Sequence, residues 1–488
     1  MNKNLYRSQH AVVLGGSLAG LLAARVLADH FEHVTLIERD VYTETTETRR
    51  GLPQANHVHG LLARGRQILE ELFPGLQDEM IAAGAPELDM ANEIAWFTRA
   101  GWGVRFPSEF QVLAFTRPML DLYVRRRLRT NPRVRILDNT DALRLVPGTN
   151  GNQLSGVLIC PRSSDSDRRV ATELRADLVV DATGRASKAP RWLNDLGYDA
   201  PAETRISAQL GYASRLYRVP KDFNADWKCV FIQSAPPERK RGAILFIVED
   251  NRWLVTLIGG GGDYPPGDEA GFLDFARSLP VSTIFDAIRT VEPISPIKTH
   301  RATENRLRQF ERTKKLPENF VLLGDAVCAF NPVYGQGMTI ASLGALTLQK
   351  VLNEQRRLHI DGSLTGLSRR FQKQLAKINK APWMMATGED YRYREVVGGS
   401  PTPMNRFMHW YMDHVIQLST QTVAVRQVLM RAFNILAPPT TLFQPRVLFR
   451  VLLNVVKPAR RQKQNVTAKS PKPVLYQSGS TRLKREAS

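Results

Sequence analysis

Four small residues, Gly15, Gly16, Ser17 and Gly20, lie between an apolar run at residues 11–14 and a helical pattern with Leu21, Leu22, Ala24, Val26 and Leu27 on one side. A second β-type run, residues 34–37, ends at the acid Glu38. Backbone stripped of side chains lets a pyrophosphate approach, and a helix N-terminus offers free N–H groups and the positive end of its dipole. An acid about 20 residues beyond such a turn accepts hydrogen bonds from a ribose 2′-OH. Strand, turn, helix, strand and acid in register therefore read as a dinucleotide site for an adenosine ribose without a 2′-phosphate. Ser17 stands where the middle glycine of G-x-G-x-x-G is expected, and serine is small enough for close approach. An ordinary α/β crossover is the plainer alternative.

Three more stretches carry residue types of the same kind. Residues 178–187, L-V-V-D-A-T-G-R-A-S, run a buried-type strand into a turn at Gly184. Residues 321–338 place a second buried strand before Gly324-Asp325-Ala326, and Asn331-Pro332-Val333-Tyr334-Gly335-Gln336-Gly337-Met338 then opens a long small-residue helix. Residues 49–62, R-R-G-L-P-Q-A-N-H-V-H-G-L-L, follow the first unit directly. His57 and His59 there suggest a metal pair, but two histidines without further ligands nearby make a poor site, so no metal is expected. A structural role, or polar lining near a cofactor, suits them better.

The elements that must position these residues follow from pattern. At 488 residues the chain can bury a large core and divide into two or three substructures. Hydrophobic residues at 43% and charged residues at 23% belong to a folded protein rather than a disordered one. Residues 208–217, 229–233, 243–248 and 253–258 read as four β runs broken by polar turns, an antiparallel sheet. The glycines at 259–262 precede Pro265-Pro266 and read as a loop. Helical patterns occupy residues 119–128, 269–279, 283–289 and 363–385. Residues 404–436 and 447–456 carry apolar stripes near helical spacing, which read as core more readily than as membrane contact.

Three widely separated cysteines imply neither a disulfide framework nor a zinc site, and fit a reducing compartment. The polar first ten residues predict no signal peptide, and no apolar run reaches 18 residues, so a cytoplasmic protein is expected. Net charge is +20, of which residues 457–488 supply +8 through nine Lys and Arg against the single Glu486. That balance points to an anionic partner surface, lipid headgroups or nucleic acid. The tail itself, rich in Lys, Pro, Ser and Gln, is expected to be disordered.

Taken together, G-G-S-L-A-G, R-x-G-x-P-Q-x-x-H-x-H and the G-D motif resemble flavoprotein monooxygenases of the p-hydroxybenzoate hydroxylase fold. Within them the chain is most similar to the branch containing polyether-pathway polyene epoxidases. The resemblance covers roughly residues 10–350. It implies an α/β fold: a Rossmann-type FAD-binding domain in three pieces (1–90, 111–205 and 291–355), with an inserted antiparallel-sheet substrate domain (91–110 and 206–290). A C-terminal helical region (356–456) and the basic tail (457–488) complete it. Cofactor-binding candidates are Gly15, Gly16, Ser17, Gly20, Glu38, Arg39, Arg49, Arg117, Gly184, Gly324, Asp325, Pro332, Gly335, Gln336, Gly337 and Met338. By resemblance, Arg49 lies beside the flavin and Arg117 contacts the dinucleotide at a helix start, though a surface pair with Asp121 would also explain Arg117. Asp325 would accept from ribityl hydroxyls, and the 332–338 turn would lie against the isoalloxazine.

The implied activity is NAD(P)H-consuming hydroxylation or epoxidation of an apolar small molecule (a polyene, terpenoid or aromatic) through a flavin hydroperoxide, with no catalytic side chain assigned. In D-x-T-G-R-x-S, Thr183-Gly184 replaces the Asp-Gly usual in the hydroxylases. Arg185 could meet phosphate, but no residue is assigned to NAD(P)H. A flavin-dependent reductase of prenyl-chain double bonds shares the motifs and is the nearest alternative. A halogenase is disfavoured because Arg252-Trp253-Leu254-Val255 lacks W-x-W-x-I-P. From another class, a basic membrane- or nucleic-acid-binding protein with a vestigial flavin fold would explain the charge, but no helix-turn-helix, RNA-recognition or zinc signature is present, so nucleic acid is not expected. Peripheral contact with an anionic membrane through the C-terminal region is the further partner expected.

Overall fold

A computed structural model describes residues 9–162, 170–301, 303–456 and Pro471. Apart from Pro471, the expected disordered tail lies outside the described residues, as does most of the polar 161–169 loop. At the centre is a five-stranded parallel sheet in the order Phe320–Leu322, Leu178–Asp181, His10–Leu14, His33–Ile37, Val134–Leu137. Its inner strands are apolar almost throughout because other elements pack over it: helix Leu18–Leu27 and a three-stranded antiparallel sheet of Thr140–Pro147, Leu154–Pro161 and Thr172–Arg175 share its core. Helix Leu18–Leu27 makes the first crossover and buries eight of its ten residues. Ala11, Val12, Val13, Leu178, Val179, Phe320, Val321 and Leu322 are wholly buried in the same core.

The second layer is a seven-stranded sheet in the order Lys298–His300, Gly211–Arg218, Arg252–Gly259, Arg241–Val248, Cys229–Ile232, Ile94–Thr98, Gly101–Trp102. The four β runs predicted from sequence are its middle strands. Those four strands pair antiparallel, as expected, and Ile94–Thr98 joins them in parallel beside Cys229–Ile232. That strand arrives from an earlier excursion of the chain, so no hairpin fixes its direction. Helices Glu269–Arg277 and Thr283–Ile288 pack on this sheet through Phe272, Phe275, Ile284 and Ile288.

The predicted helix at 363–385 instead spans Leu367–Asp390, with Pro382 inside it. Helices Pro403–Ser419, Val423–Phe433 and Pro445–Val456 follow. Their stripe is only partly core. Tyr411, Val415, Val425, Val447 and Val451 are buried together, whereas Met404, Phe407, Phe449 and Leu452 are at least half exposed. The middle helix of the three presses on the seven-stranded sheet through Met430 and Phe433, against Trp96.

One residue in that contact stands out energetically. Arg426 is 2% exposed, its guanidinium lies 4.7 Å from the Trp96 ring centre, and its Nε and Nη1 have no hydrogen-bond partner. Burial lowers its pKa to about 10. A buried charge without a counter-ion costs more than the ring's attraction returns. Arg426→Met, similar in length, should therefore leave stability unchanged or raise it by about 1–3 kcal/mol. Thermal melting checks this; a drop of several degrees would show that the guanidinium has a partner worth more than its desolvation.

Candidate active site

Three chain reversals meet at the carboxyl ends of adjacent strands of the parallel sheet. At the first, Gly15 has φ +94°, and a Cβ there would stand 2.6 Å from the carbonyl oxygen of Ala182. A Cβ at Gly20 would overlap Gly15 O. Both glycines are thus required by backbone packing. At the third reversal, Gly324 has φ +63° and its Cβ would stand 2.8 Å from Cβ of Ala19 on the first helix. The second, Ala182–Ser187, lies between them.

Beneath the first turn Glu38 is buried. Its Oε2 accepts from Gly16 N–H at 2.7 Å, its Oε1 from Asp40 N–H at 2.9 Å, and Arg49 Nη1 is 3.4 Å away. A carboxylate has about four lone-pair positions, so one remains for an outside donor. Arg39 is exposed at the rim. Arg49 also meets Asp40 at 3.8 Å and Asp121 at 3.4 Å. Arg117 does pair with Asp121, at 2.9 Å, but it is buried, and its Nη2 donates to Ser17 Oγ at 2.9 Å. It ties the start of helix Arg117–Arg129 to the first turn. Sequence reasoning passed over Tyr42, whose hydroxyl donates to Gly16 O at 2.6 Å and whose ring lies under the guanidinium groups of Arg49 and Arg125. Nothing in its sequence context marks it.

In the second turn Asp181 is fully buried. It accepts from Thr183 N–H at 2.8 Å, Thr183 Oγ1 at 2.6 Å and Ser187 Oγ at 2.6 Å. Gly184 follows at φ +74°. Arg185 donates to the carbonyls of Glu304 and Phe330, and its Nε lies 3.8 Å from Asp325. Its guanidinium therefore ties two loops together.

The third turn is held from below. Asn331 Oδ1 accepts from Tyr212 OH at 2.8 Å and its N–H donates to Asn305 Oδ1 at 2.8 Å. Asp390, fully buried at the end of its helix, accepts from Tyr334 OH at 2.5 Å and Asn305 Nδ2 at 2.7 Å. Above this base the turn is open. Gly335 has φ +64°, and a Cβ on Gly335, on Gly337 or on Gly60 across the cleft would meet nothing within 4 Å. Gln336 is buried with Oε1 unpartnered, and Met338 is buried beneath the helix start. Pro332 is exposed, and the Asp325 side chain is 41% exposed beside it. Helices Leu18–Leu27 and Gly337–Leu358 both begin without a first-turn acid or a side-chain cap. Two uncapped helix starts, three glycines facing open space, an exposed acid and an orphaned amide oxygen fit a flavin dinucleotide in shape and donor set.

Gly60 and Gly335 border a cavity between residues 57–62, the Pro332–Gly335 turn and the face of the seven-stranded sheet. Ile94, Val112, Phe231, Phe246, Ile258 and Phe433 dominate its wall. His57, His59 and His300 also line it. Burial lowers the pKa of His57 to about 3 and of His59 to about 4, so both are neutral at ordinary pH. No group of three or more metal-ligating side chains occurs among the described residues.

Burial also pushes the Asp390 carboxyl up to about 7. A raised carboxyl pKa means the folded state keeps a proton that the unfolded chain, near 4, releases. Its contribution to stability therefore falls as pH rises from about 4 through about 7, by at most about 1.4 kcal/mol per pH unit. Asp390→Asn removes this slope, whatever the hydrogen-bond change does to the absolute value. Denaturant unfolding at pH 5, 6.5 and 8 should show the variant gaining on the parent with pH. Parallel curves would mean Asp390 is ionised throughout.

Comparison with known proteins agrees with this geometry. The family described as FAD binding domain matches residues 8–357. Protein Rv3254 of Mycobacterium tuberculosis is 35% identical over 384 residues, covering 77% of this chain and 79% of that protein. Among solved structures, the flavin-dependent brominase Bmp2 aligns with a TM-score of 0.66 at 13% identity, over 93% of this chain and 100% of its own. PqsL, a probable FAD-dependent monooxygenase from Pseudomonas aeruginosa, aligns with a TM-score of 0.58 at 16% identity, over 78% and 96%. The 2-methyl-3-hydroxypyridine-5-carboxylic acid oxygenase aligns with a TM-score of 0.56 at 16% identity, over 88% and 98%. At those identities the structures show a shared fold, that of p-hydroxybenzoate hydroxylase. The chain belongs to the FAD-binding-domain family and is an FAD-dependent oxidoreductase.

Proposed function

We propose that the protein is an NAD(P)H-consuming monooxygenase that hydroxylates or epoxidises an apolar small molecule, a polyene, terpenoid or aromatic. The observation that carries this reading is the apolar cavity that ends at the open glycines Gly60 and Gly335. The Gly15–Gly20 turn, Glu38 and Arg39 hold the adenosine end of FAD, with Arg49 and Arg117 bracing that turn. Gly184, Gly324 and Asp325 flank the ribityl chain, and Pro332, Gly335, Gln336, Gly337 and Met338 form the seat of the ring. When bound, FAD supplies the redox chemistry, taking electrons from NAD(P)H and activating oxygen.

The chain's own residues do the rest. Helix Gly337–Leu358 directs its N-terminal dipole and free N–H groups at the ring edge, stabilising negative charge there. The aliphatic and aromatic wall excludes water and holds a double bond or ring against that edge. Transfer to an alkene needs no protein base, so no catalytic side chain is assigned. The rival, reduction of prenyl-chain double bonds, would use the same seat without incorporating oxygen. Turnover with NADPH or NADH under ¹⁸O₂, on a panel of polyenes and aromatics, separates them: a product carrying one ¹⁸O atom is expected. An unlabelled product gaining two hydrogens would give the rival the site.

The C-terminal region supplies the second partner, an anionic membrane surface. Helix Pro445–Val456 exposes Leu448, Phe449, Leu452, Leu453, Val455 and Val456, with Arg446 and Arg450 beside them and no acid. Met404, Phe407 and Trp410 on helix Pro403–Ser419 are exposed as well, and the tail adds +8. An apolar helix face with basic neighbours suits the headgroup boundary. No described helix is long and apolar enough to cross a membrane.

Two outcomes follow. Gly335→Val should lower bound FAD or product per FAD, because its side chain fills the ring seat and strains a φ of +64° by about 1–3 kcal/mol. FAD absorbance, melting temperature and product on one sample check this; early melting with normal turnover per flavin would remove Gly335 from the seat. Phe449→Ser with Leu452→Ser should reduce co-sedimentation with vesicles containing phosphatidylserine, and so should 0.5 M salt, each basic contact being worth about 1 kcal/mol near the surface. Equal sedimentation with neutral and anionic vesicles would end the membrane reading.

A further inference from the structure

The cavity wall holds one polar arrangement that the proposed oxygen transfer does not use. His57 is 5% exposed, its Nδ1 lies 2.7 Å from Ser214 Oγ, and its Nε2 is buried without a hydrogen-bond partner. Ser214 and Thr256 face each other across paired strands, their hydroxyl oxygens 2.6 Å apart. Thr256 Oγ1 in turn accepts from Val58 N–H at 3.0 Å.

The direction of this chain of hydrogen bonds follows from its fixed end. A backbone N–H only donates, so Thr256 accepts from Val58 and has one hydrogen of its own to give. Given to Ser214, it frees the Ser214 hydrogen for His57 Nδ1, and only the His57 Nε2–H is left without a partner. The reverse direction makes Thr256 accept twice and leaves two groups unmatched among the described residues, the Thr256 hydroxyl hydrogen and the bare Nε2 of His57. A buried hydroxyl hydrogen without an acceptor is costly, so the first direction is preferred. His57 is neutral, and a neutral imidazole that accepts at Nδ1 carries its proton on Nε2.

We infer that the His57 Nε2–H is the specificity-determining donor of this cavity, selecting apolar molecules that carry one acceptor oxygen (a ketone, quinone or ether) over hydrocarbons of the same shape. The inference rests on reading the cavity as the substrate site. A hydrocarbon leaves the donor unmatched, whereas an acceptor oxygen satisfies it and fixes which end of the molecule lies near His57.

The test compares 2-acetonaphthone with 2-isopropenylnaphthalene, which replaces C=O by C=CH₂, binding to the oxidised holoenzyme and read by flavin absorbance. The parent protein should bind the ketone about tenfold more tightly. His57→Phe should bring the two within about threefold, with hydrocarbon affinity and FAD content unchanged. His57→Gln, which retains a donor, should keep part of the preference. Should His57→Phe not fold, ¹⁵N-histidine NMR of the parent decides, assigned by difference from His57→Gln: a proton on Nε2 is expected, and one on Nδ1 overturns the inference. Equal affinities in the parent, binding of neither compound, an unchanged preference in His57→Phe, or loss of FAD from that variant would each overturn it too. These titrations need neither reductant nor oxygen. A protein that shows the preference but incorporates no ¹⁸O would sink the monooxygenase reading alone.

Discussion

The structure depends on close approaches where no Cβ fits. Gly15 lies against the Ala182 backbone, Gly20 against the Gly15 backbone, and Gly324 against the Ala19 methyl. These contacts join segments as far as 300 residues apart in sequence, and they draw the ends of three parallel strands together. A side chain at Gly15 or Gly20 would drive backbone from backbone, which has no rotamer through which to give way. Because the turns are this close, two helix starts and one acid can address a single elongated molecule. Gly335 and Gly337 obey the opposite rule: they face open space, and their lack of a side chain preserves a surface instead of a contact.

Around this contact, charge is spent on positioning. Asp181 caps its own turn, Arg185 ties two loops, and Glu38 holds Gly16 and Asp40. Arg49, Arg117 and Asp121 form a buried alternating cluster in which each guanidinium meets a carboxylate. Such clusters stabilise little overall, since desolvation cancels most of the attraction. They do make a displaced geometry expensive, because moving one member strands the others. The Asp390 network serves the same purpose under the third turn. Its raised pKa is the cost of a carboxyl held where two neutral donors, not a cation, approach it most closely.

The parts legible in sequence were those in which local pattern and backbone geometry coincide. Residues 11–38 name their strand, turn, helix and acid in order, and the four β runs at 208–258 became the middle of one sheet. Long-range partners were not legible. Tyr42 reaches Gly16, Asp390 reaches Tyr334 and His57 reaches Ser214 only because the fold brings them together, and no periodicity marks any of them. The parallel pairing of Ile94–Thr98 with Cys229–Ile232 was missed for the same reason: strand direction is set by connections that run through the other layer. For Arg185 the motif did not reveal its partners, because the carbonyls of Glu304 and Phe330 come from segments far away in sequence.

The cavity adds an electrostatic condition to the steric one. His57 and His59 are desolvated and neutral, and Asp390 accepts its hydrogen bonds beneath the wall instead of facing it. A lining without Asp, Glu, Lys or Arg leaves the field at the Gly335 end of the cavity largely to the dipole of helix Gly337–Leu358. A protonated histidine there would attract water and anions into a space lined by Ile94, Phe231 and Phe246. Burial of His57 and His59 thus does two things with one arrangement. It keeps the cavity dry, and it converts an ordinary pH-sensitive side chain into a fixed dipole that orients without titrating.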